Sequence, residues 1–329
     1  MAMGLLRRVE AVVAIIVVTV AFGALSGSAQ LSPGYYGAKC LLLEPTVRFV
    51  FERAKRSDPR IGASLLRMHF HDCFVQGCDA SITLVDTPTF TGEQTAVPND
   101  NSIRGFDVLE NIKAAVEFVC PNTVSCADIL ALVARIAVVS DGGPFWTVEF
   151  GRRDSTTACF SCANTQIPSP FQNVAGLTQD FVNKGLSETD MVALSGAHTF
   201  GKAHCGLITN RLGTEGSPAP DQSLNPTYRQ ILLNECTSAS VLVNLDVTTP
   251  TQFDNAYYTN LKVGKGLLGS DQTLFSEGDA LSTRLVNLYS LNPAAFGFQF
   301  AVSMIKMGRI TPLTGTQGQI RKQCSVVNP

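Results

Sequence analysis

The sequence predicts a mostly α-helical protein, and three observations support this fold class. Apolar residues recur at three- and four-residue spacings over most of the chain, as they do on the buried face of a helix. Two segments open with Ser-x-x-Asp, a helix-capping pattern, at Ser125–Asp128 and Ser187–Asp190. Strand-like alternation is scarce, and "FWTVEF" (145–150) is the best candidate for a short hairpin. We therefore expect an all-α fold with at most one short β-hairpin.

The periodic segments predict nine helices, which Pro- and Gly-rich turns such as "DGGP" and "IPSP" separate. In chain order these helices cover residues 45–57, 60–72, 105–119, 125–140, 173–185, 187–198, 226–236, 253–264 and 296–308. No internal repeat is present in the sequence, which argues against a solenoid.

The first 29 residues have the pattern of a secretory signal peptide. Arg7 and Arg8 precede the apolar run "AVVAIIVVTVAFGAL" (11–25), and the small residues that follow allow cleavage after Ala29. A membrane anchor is the alternative, but this run is shorter than the roughly 20 residues that span a bilayer. We expect a secreted, extracellular protein with one mature domain at residues 30–329, and no membrane partner after signal removal.

The composition of residues 30–329 restricts the class of partner. Without Arg7, Arg8 and Glu10, the 25 Lys+Arg become 23 and the 27 Asp+Glu become 26, a net charge near −3. This slightly acidic balance argues against nucleic acid or an anionic membrane as the main partner. All 10 cysteines follow the predicted signal peptide and suit an oxidising compartment. A chain of this length can bury a large core as one domain or as two joined lobes.

The densest group of reactive residues lies in "RMHFHDCFVQGCDAS" (67–81). On a helix, Arg67 and His71 stand one turn apart on the same face, whereas His69 points elsewhere and is expected to be a core histidine. A histidine beside a fixed positive charge suits proton transfer in a bond cleavage that leaves negative charge on oxygen. For any such pair alone, the simpler alternative is a helix end with an ordinary surface Arg and His.

Oxygen donors follow His71 in the chain and predict a cation site. Hard oxygen ligands favour calcium over zinc or copper, and zinc would require thiolates that an oxidising compartment disfavours. A disulfide between Cys73 and Cys78 would close the loop that carries these donors. The candidate ligands are the side chains of Asp72, Asp79 and Ser81, the carbonyls of Val75 and Gly77, and, through water, Glu93.

A second region repeats this arrangement around His198, in "LSGAHTFG". Its next neighbour, Thr199, is an oxygen donor, as Asp72 is beside His71. A bound ion would hold the backbone of each histidine in place. Acidic loops are also common as solvated surface, so spacing alone leaves both interpretations open here. The candidate ligands are Thr199, Asp246, Thr249 and Asp254, with Gln252 through its backbone carbonyl.

Both regions resemble the two signatures of the class III plant secretory peroxidases. "LLRMHFHDCFVQGCDASI" is similar to the family's distal-haem motif, and "MVALSGAHTFGKAHC" to its proximal one. "NSIRGFDVLENIK", "VSCADILAL", "GRRDS", "FDNAYY" and "MGRITPLTGTQGQIRKQC" also match in order, so the similarity extends from about residue 30 to the C-terminus. The resemblance implies a two-lobed all-α fold that holds haem b between a distal and a proximal half.

The resemblance also implies a role for each matching residue. His198 is expected to be the axial ligand of the iron, with Asp271 accepting the proton of its other ring nitrogen. His71 is expected to take a proton from hydrogen peroxide and return it to the leaving oxygen. Asn99 would fix the tautomer of His71, and Arg67 would stabilise negative charge on the departing oxygen.

Calcium sites, substrate edge and disulfides follow from the same resemblance. The two sets of oxygen donors match the family's two calcium sites, and Pro168 matches a position at the haem edge where phenolic donors bind. Cys159 and Cys162 lie outside the family's cysteine set, so a local disulfide and free thiols both stay open. Leu245 stands where many members have an aromatic residue, which implies looser packing on the haem. The implied disulfides, which spacing alone cannot give, are Cys40–Cys120, Cys73–Cys78, Cys126–Cys324 and Cys205–Cys236.

The resulting hypothesis is a secreted, monomeric haem peroxidase with haem b and two Ca²⁺ ions. It would use hydrogen peroxide to oxidise small phenolic donors in one-electron steps, in cell-wall lignin polymerisation, peroxide removal or stress response. A fungal-type peroxidase that oxidises manganese is the rival enzyme, and it requires extra carboxylates at a haem propionate. The rival outside the enzymes is a structural haem and calcium protein, which would not need the complete set of Arg67, His71, Asn99 and Asp271.

Overall fold

The computed structural model describes residues 31–88, 90–214, 219–277 and 280–329. The predicted signal peptide, residues 1–29, lies outside these ranges. In the described ranges the structure contains thirteen α-helices and one two-stranded sheet, so the prediction of an all-α fold is confirmed. None of the helices in this part of the chain is long and apolar enough to cross a membrane.

The helices include all nine that the periodicity predicts, with ends shifted by a few residues. In chain order they are α1 Leu43–Ser57, α2 Ile61–Phe74, α3 Phe106–Val119, α4 Cys126–Ser140, α5 Phe160–Gln166, α6 Val174–Asn183, α7 Glu188–Ser195, α8 Thr209–Leu212, α9 Pro226–Glu235, α10 Ala256–Lys262, α11 Gly269–Ser276, α12 Ala280–Leu291 and α13 Pro293–Met307. Short 3-10 helices lie at Ser81–Thr83, Gly196–Thr199 and Cys205–Leu207. The helices α5, α8, α11 and α12 are additional to the prediction.

The two predicted helix caps differ in detail. Ser187 and Asp190 form the full capping box, in which each side chain accepts a hydrogen bond from the other residue's backbone N–H. Ser125 caps α4 by accepting from the N–H of Asp128 at 3.1 Å. The Asp128 carboxylate does not bond back to Ser125, because it accepts instead from Arg152 and neighbouring donors in the buried interior. The capping box at the beginning of α4 is therefore only half formed.

The strands lie elsewhere than the alternation predicts. β1 (Lys202–His204) pairs antiparallel with β2 (Leu242–Asn244). The hairpin predicted at residues 145–150 is wrong, because residues 145–149 belong to no strand and only Phe150 forms a bridge, with Ser32. Its alternation has another cause: Trp146 and Val148 are buried in the core without a partner strand.

The molecule contains two large hydrophobic cores, and α2 contributes residues to both. The N-terminal core is formed by α1, α3 and α4, and the C-terminal core by α6, α7, α10, α12 and α13. From α2, Leu65 and Met68 enter the N-terminal core, whereas Leu66 and Phe74 enter the C-terminal core. A third, smaller cluster surrounds β1, β2, α8 and α9. The helix that carries Arg67 and His71 is thus fixed from two sides.

All ten cysteines are paired in the structure. Four of the bridges have the pairing that the family resemblance implies: Cys40–Cys120, Cys73–Cys78, Cys126–Cys324 and Cys205–Cys236. The fifth joins Cys159 to Cys162 at the beginning of α5, so of the two alternatives for this pair the structure has the local disulfide.

Candidate active site

His71 lies in the last turn of α2 and is almost completely buried. Its Nδ1 is 2.5 Å from Oδ1 of Asn99. Because an amide oxygen only accepts, the proton of the neutral ring lies on Nδ1 and Nε2 is the basic nitrogen. The amide group of Asn99 is held in turn, since its Nδ2 donates to the backbone carbonyl of Glu93 at 2.9 Å. This chain of contacts fixes both the orientation and the tautomer of His71.

The surroundings of His71 favour the neutral ring. Burial lowers its pKa well below the ordinary value, and the positive charge of Arg67 lowers it further, while the hydrogen bond to Asn99 acts in the opposite direction. Burial also lowers the pKa of Arg67, to about 10, so the guanidinium stays charged at neutral pH. A neutral imidazole therefore lies one helical turn from a fixed cation.

Arg67 is anchored to the turn that carries Asn99. Its Nη2 donates to the backbone carbonyl of Pro98 at 2.8 Å and to Oγ of Ser102 at 3.1 Å. The positions of Arg67 and Asn99 are thereby linked through one short loop. Sequence reasoning missed Ser102, since nothing in its local pattern marks a side chain that meets α2.

His69 has the surroundings of a core residue. It is buried, and its ring lies 3.6 Å from the sulfur of Cys73 within the same helix. Burial, with a contribution from the charge of Arg152, lowers its pKa to about 3. It is therefore uncharged and separate from His71, as the helical geometry predicts.

His198 lies in the 3-10 helix that follows α7, and a carboxylate orients its ring. Its Nδ1 donates to Oδ1 of Asp271 at 2.7 Å. The same oxygen accepts from the hydroxyl of Tyr257 at 3.1 Å, and the other carboxylate oxygen accepts from the N–H of Leu268 at 3.0 Å. The side chain of His198 is 38% exposed although Asp271 is buried. Its Nε2 is thus presented by a rigid, carboxylate-bound ring.

The elements that carry the two histidines border the same core. Phe70 and Phe74 of α2 and Ala197 and Phe200, on either side of His198, all contact the C-terminal core. The N-terminal end of α2 also approaches the residues just after His198. A Cβ built onto Gly201 would lie 3.1 Å from Cβ of Ala63.

The predicted distal calcium ligands form a buried group of oxygens with too few donors. Asp72, Asp79, Ser81 and Glu93 are all buried. Within the described chain, three of their buried oxygens have no hydrogen-bond partner: Oδ1 of Asp72, Oγ of Ser81 and Oε2 of Glu93. Buried carboxylate oxygens are costly unless a donor or a cation compensates them. The donor set therefore fits a hard cation such as calcium.

The charges of this group support the same interpretation. Burial raises the pKa of Asp72 well above its ordinary value, and the neighbouring charge of Asp79 raises it further. Burial also raises the pKa of Asp79 to about 6 and that of Glu93 to about 7. Carboxylates in this state gain from a bound cation, which allows them to ionise.

The loop that contributes the expected carbonyl ligands depends on a glycine. Gly77 has φ +137°, and a Cβ there would lie 2.4 Å from the carbonyl oxygen of Thr311. Any other residue would therefore clash with the backbone that packs across this loop. The N–H of Gly77 donates to the carbonyl of Val75 at 2.6 Å, so both expected carbonyl donors belong to one tight turn.

The predicted proximal calcium ligands also converge. Oγ1 of Thr199 lies 3.4 Å from Oδ2 of Asp246 and 3.3 Å from Oδ1 of Asp254. Oγ1 of Thr249 lies 3.1 Å from the same Asp254 oxygen, and Gln252 is exposed at the edge of this loop. Among the described residues no three His, Cys, Asp or Glu side chains form a cluster that could hold a metal.

Comparison with known proteins assigns the chain to a family. A family model described as "Peroxidase" matches residues 47–290, which is more than half of the chain. The chain is 51% identical over 321 residues to Peroxidase 23 of Arabidopsis thaliana, covering 96% of this chain and 92% of that relative. It is 52% identical over 306 residues to Peroxidase 70 of Zea mays, covering 92% and 93%. The chain belongs to the class III plant peroxidase family.

Haem peroxidase activity follows from this membership, and the residues of the site fit the groups that the family implies. For haem, the observation is a partly exposed imidazole whose Nδ1 is held by a buried carboxylate, which is the usual support of an iron-ligating histidine. For calcium, it is the set of buried oxygens without donors near Asp72.

In this peroxidase, Pro168 of the predicted substrate edge and Leu245, which stands where many family members have an aromatic residue, lie in different parts of the fold. Pro168 is half-buried in the irregular segment between α5 and α6. Leu245 follows β2, and its N–H donates to the carbonyl of Gly201 at 3.1 Å. Tyr257, which holds the carboxylate of Asp271, was not predicted as a site residue. The "FDNAYY" segment contains it, but a contact between α10 and α11 gives no local signal in the sequence.

Proposed function

We propose that this peroxidase is secreted and uses hydrogen peroxide to oxidise small phenolic donors in one-electron steps. The overall change is 2 donor–OH + H₂O₂ → 2 donor–O• + 2 H₂O. The observation that carries the proposal is the contact of His71 with Asn99, one turn of helix from Arg67. This arrangement supplies a neutral base and a fixed cation on one helix face, which the heterolysis of an O–O bond requires.

His71 moves the proton in this proposal. Its Nε2 takes a proton from the first oxygen of hydrogen peroxide and returns it to the second, which leaves as water. Asn99 keeps the other ring proton on Nδ1, so that Nε2 is the nitrogen that reacts. Arg67 stabilises the negative charge on the leaving oxygen until the proton arrives.

His198 and Asp271 belong to the proximal side of the proposed haem site. When bound, the haem supplies the redox chemistry, and His198 is the residue that would hold its iron through Nε2. The carboxylate of Asp271 keeps the imidazole in one orientation and holds its proton on Nδ1. Tyr257 and the N–H of Leu268 prevent this carboxylate from turning away.

Two calcium ions would hold the backbone next to each histidine. Support comes from the buried oxygens without donors on the distal side and from the converging Thr and Asp side chains on the proximal side. The distal ligands we propose are Asp72, Val75, Gly77, Asp79 and Ser81, with Glu93 through water. The proximal ligands we propose are Thr199, Asp246, Thr249, Gln252 and Asp254.

Pro168 belongs to the proposed donor edge. Phenolic donors would be oxidised there rather than above the iron, so that donor and peroxide use separate approaches. The signal-peptide pattern at residues 1–29 supports export, with residues 30–329 as the working domain outside the cell. A role in lignin polymerisation, peroxide removal or the stress response in the cell wall is consistent with this location and with monomeric action on small substrates.

Replacing His71 by Ala tests the central proposal. The variant should retain haem, because His198 is unchanged, but its reaction with peroxide should slow by about 10²–10⁴-fold, the usual contribution of acid–base catalysis. Stopped-flow spectroscopy at the Soret band measures this rate. The control is His204→Ala, which alters a partly exposed histidine on β1. A His71 variant that reacts as fast as the parent would exclude the proposed role, and a parent that only bleaches slowly would indicate a structural haem protein.

A further inference from the structure

The disulfide between Cys159 and Cys162 lies against the distal half of the site, although neither cysteine belongs to the family's cysteine set. It spans the first turn of α5, where the sulfur of Cys159 also accepts from the N–H of Cys162 at 3.2 Å. Both cysteines are partly buried. A helix of seven residues is marginal without help, because few of its hydrogen bonds offset the cost of nucleation. The bridge fixes that first turn covalently.

The bridged turn holds Glu93 directly. The backbone N–H of Cys159 donates to Oε1 of Glu93 at 3.0 Å. Within the described residues the other carboxylate oxygen, Oε2, is buried without a partner. The orientation of this carboxylate therefore depends on the position of the Cys159 N–H.

Packing joins the same turn to both neighbours of Glu93. The two cysteines contact a small apolar cluster formed by Val75, Ala96 and Ala163. Val75 belongs to the proposed calcium loop, and Ala96 lies between Glu93 and Asn99 in the chain. A hydrogen bond one turn further along α5 also joins this helix to the 93–97 segment: Oδ1 of Asn164 accepts from the N–H of Val97 at 2.8 Å. The helix α5 thus covers the segment that connects Glu93 to Asn99.

Glu93 has contacts in two directions. Its carboxylate belongs, with that of Asp72, to the buried oxygens without donors at the proposed distal calcium site. Its backbone carbonyl accepts from Nδ2 of Asn99, and Asn99 contacts His71. A shift of the 93–97 segment would therefore reach both the oxygens around Asp72 and the base.

We propose that the Cys159–Cys162 disulfide positions Glu93, and through it the distal calcium ion and the Asn99–His71 pair. This inference rests on the distal calcium site proposed above. The disulfide itself touches neither substrate nor haem. It keeps α5 folded, and the N–H at the beginning of α5 keeps the Glu93 carboxylate directed towards the cation.

Calcium release from the haem-loaded protein tests the proposal. The variant Cys159→Ser/Cys162→Ser should release the distal ion to a chelator about tenfold faster than the parent, as expected when a hydrogen bond to a charged group is weakened. Release of the proximal ion should stay unchanged, and Asp254→Asn identifies the proximal phase. The matched control is Thr165→Ala, which alters an exposed side chain of α5 that bonds only within the helix.

A double-mutant cycle separates positioning through Glu93 from a general loss of stability. In a Glu93→Ala background, removal of the disulfide should change the distal release rate by less than about twofold, because the acceptor of the Cys159 N–H is already absent. Equal effects in both backgrounds, or an unchanged rate in the serine variant, would overturn this inference while leaving the calcium sites intact. A parent that holds no distal calcium would overturn the proposed site and this inference together.

Discussion

At His71, burial and the positive charge of Arg67 both oppose protonation, so the ring stays neutral well below its ordinary pKa of 6.5. At His198, Nδ1 instead donates to a carboxylate that has two further donors of its own. The first environment suits a ring that must exchange a proton, and the second suits a ring that must keep one orientation. The same side chain thus acquires two functions from its neighbours.

Replacing Arg67 by Leu should shift the acid limb of the peroxide reaction towards higher pH. Because the charge of Arg67 lowers the pKa of His71, its removal raises that pKa, and His71 becomes protonated at a pH where the parent is still neutral. The rate should also fall at every pH, since the leaving oxygen loses its stabilising charge. Stopped-flow rates from acidic to neutral pH give both quantities. A lower rate with an unchanged midpoint would show that Arg67 does not influence the titration of His71.

Among the elements, the short helix α11 combines two functions in one carboxylate. Asp271 accepts from the N–H of Leu268, which lies just before the helix, and thereby satisfies a donor that helix geometry leaves free. The same group accepts from His198, 73 residues earlier in the chain. The beginning of α11 and the orientation of the proximal histidine therefore depend on each other.

At the distal cation loop, the calcium-free protein should become less stable as pH rises. The folded-state pKa of Glu93 is raised from 4.5 to about 7, and that of Asp79 from 3.8 to about 6. Protons are therefore held more tightly in the folded state, so this contribution to stability is complete below the unfolded pKa values and is lost as pH rises through about 7.

Chemical unfolding of chelator-treated protein at a series of pH values measures this effect. Protein with saturating calcium provides the control and should show the opposite trend, because the ion requires ionised carboxylates. Glu93→Gln should flatten the slope of the calcium-free protein. A calcium-free protein that gains stability between pH 4.5 and pH 7 would contradict the prediction.

The elements also show which parts of the fold the sequence alone could predict. The helix α4 was predicted with both ends nearly correct, because a cap, a long apolar period and a following "DGG" turn coincide. The helices α5 and α11 were missed, because each is too short to develop a periodic pattern and depends on tertiary contacts. The sheet was missed because β1 and β2 are far apart in sequence, and pairing of that kind leaves no local signal.

In the site, the residues with strong local chemistry were found and their supporting contacts were not. His71 and Arg67 could be placed together from helical spacing, and the family resemblance supplied Asn99 and Asp271. Tyr257 and Ser102 were missed because an ordinary hydroxyl acquires its role only when folding brings it to a partner. The N–H of Cys159 could not be predicted at all, since every residue except proline has a backbone N–H.

At the scale of the whole molecule, the segment that follows α13 returns to the N-terminal core. Cys324 is bonded to Cys126 at the beginning of α4, with a sequence separation of 198. The fully buried Arg321 donates to the carbonyls of Ala80 and Cys324, and its N–H donates to Asp154. The C-terminal segment is therefore bound to the N-terminal core and its neighbouring loops.

Removing the Cys126–Cys324 bridge by double substitution with Ala should reduce the free energy of unfolding by about 2–4 kcal/mol. The loop that it closes is long, so the unfolded chain gains much conformational freedom. The Cys205–Cys236 bridge, with a separation of 31, provides a matched control and should cost less when removed. Denaturant titration measures both. A larger loss from the shorter bridge would show that local strain or packing, rather than loop closure, governs these disulfides.

The return of Cys324 to the N-terminal core also affects biosynthesis. The carboxylate of Glu110 in α3 accepts hydrogen bonds from the backbone N–H groups of Cys324 and Ser325, which are synthesised more than two hundred residues later. The helices translated first therefore lack these contacts during most of the synthesis of the chain. The half that contains His71 therefore cannot be completed before residues 324 and 325 have been synthesised, and apolar surface exposed until then favours aggregation.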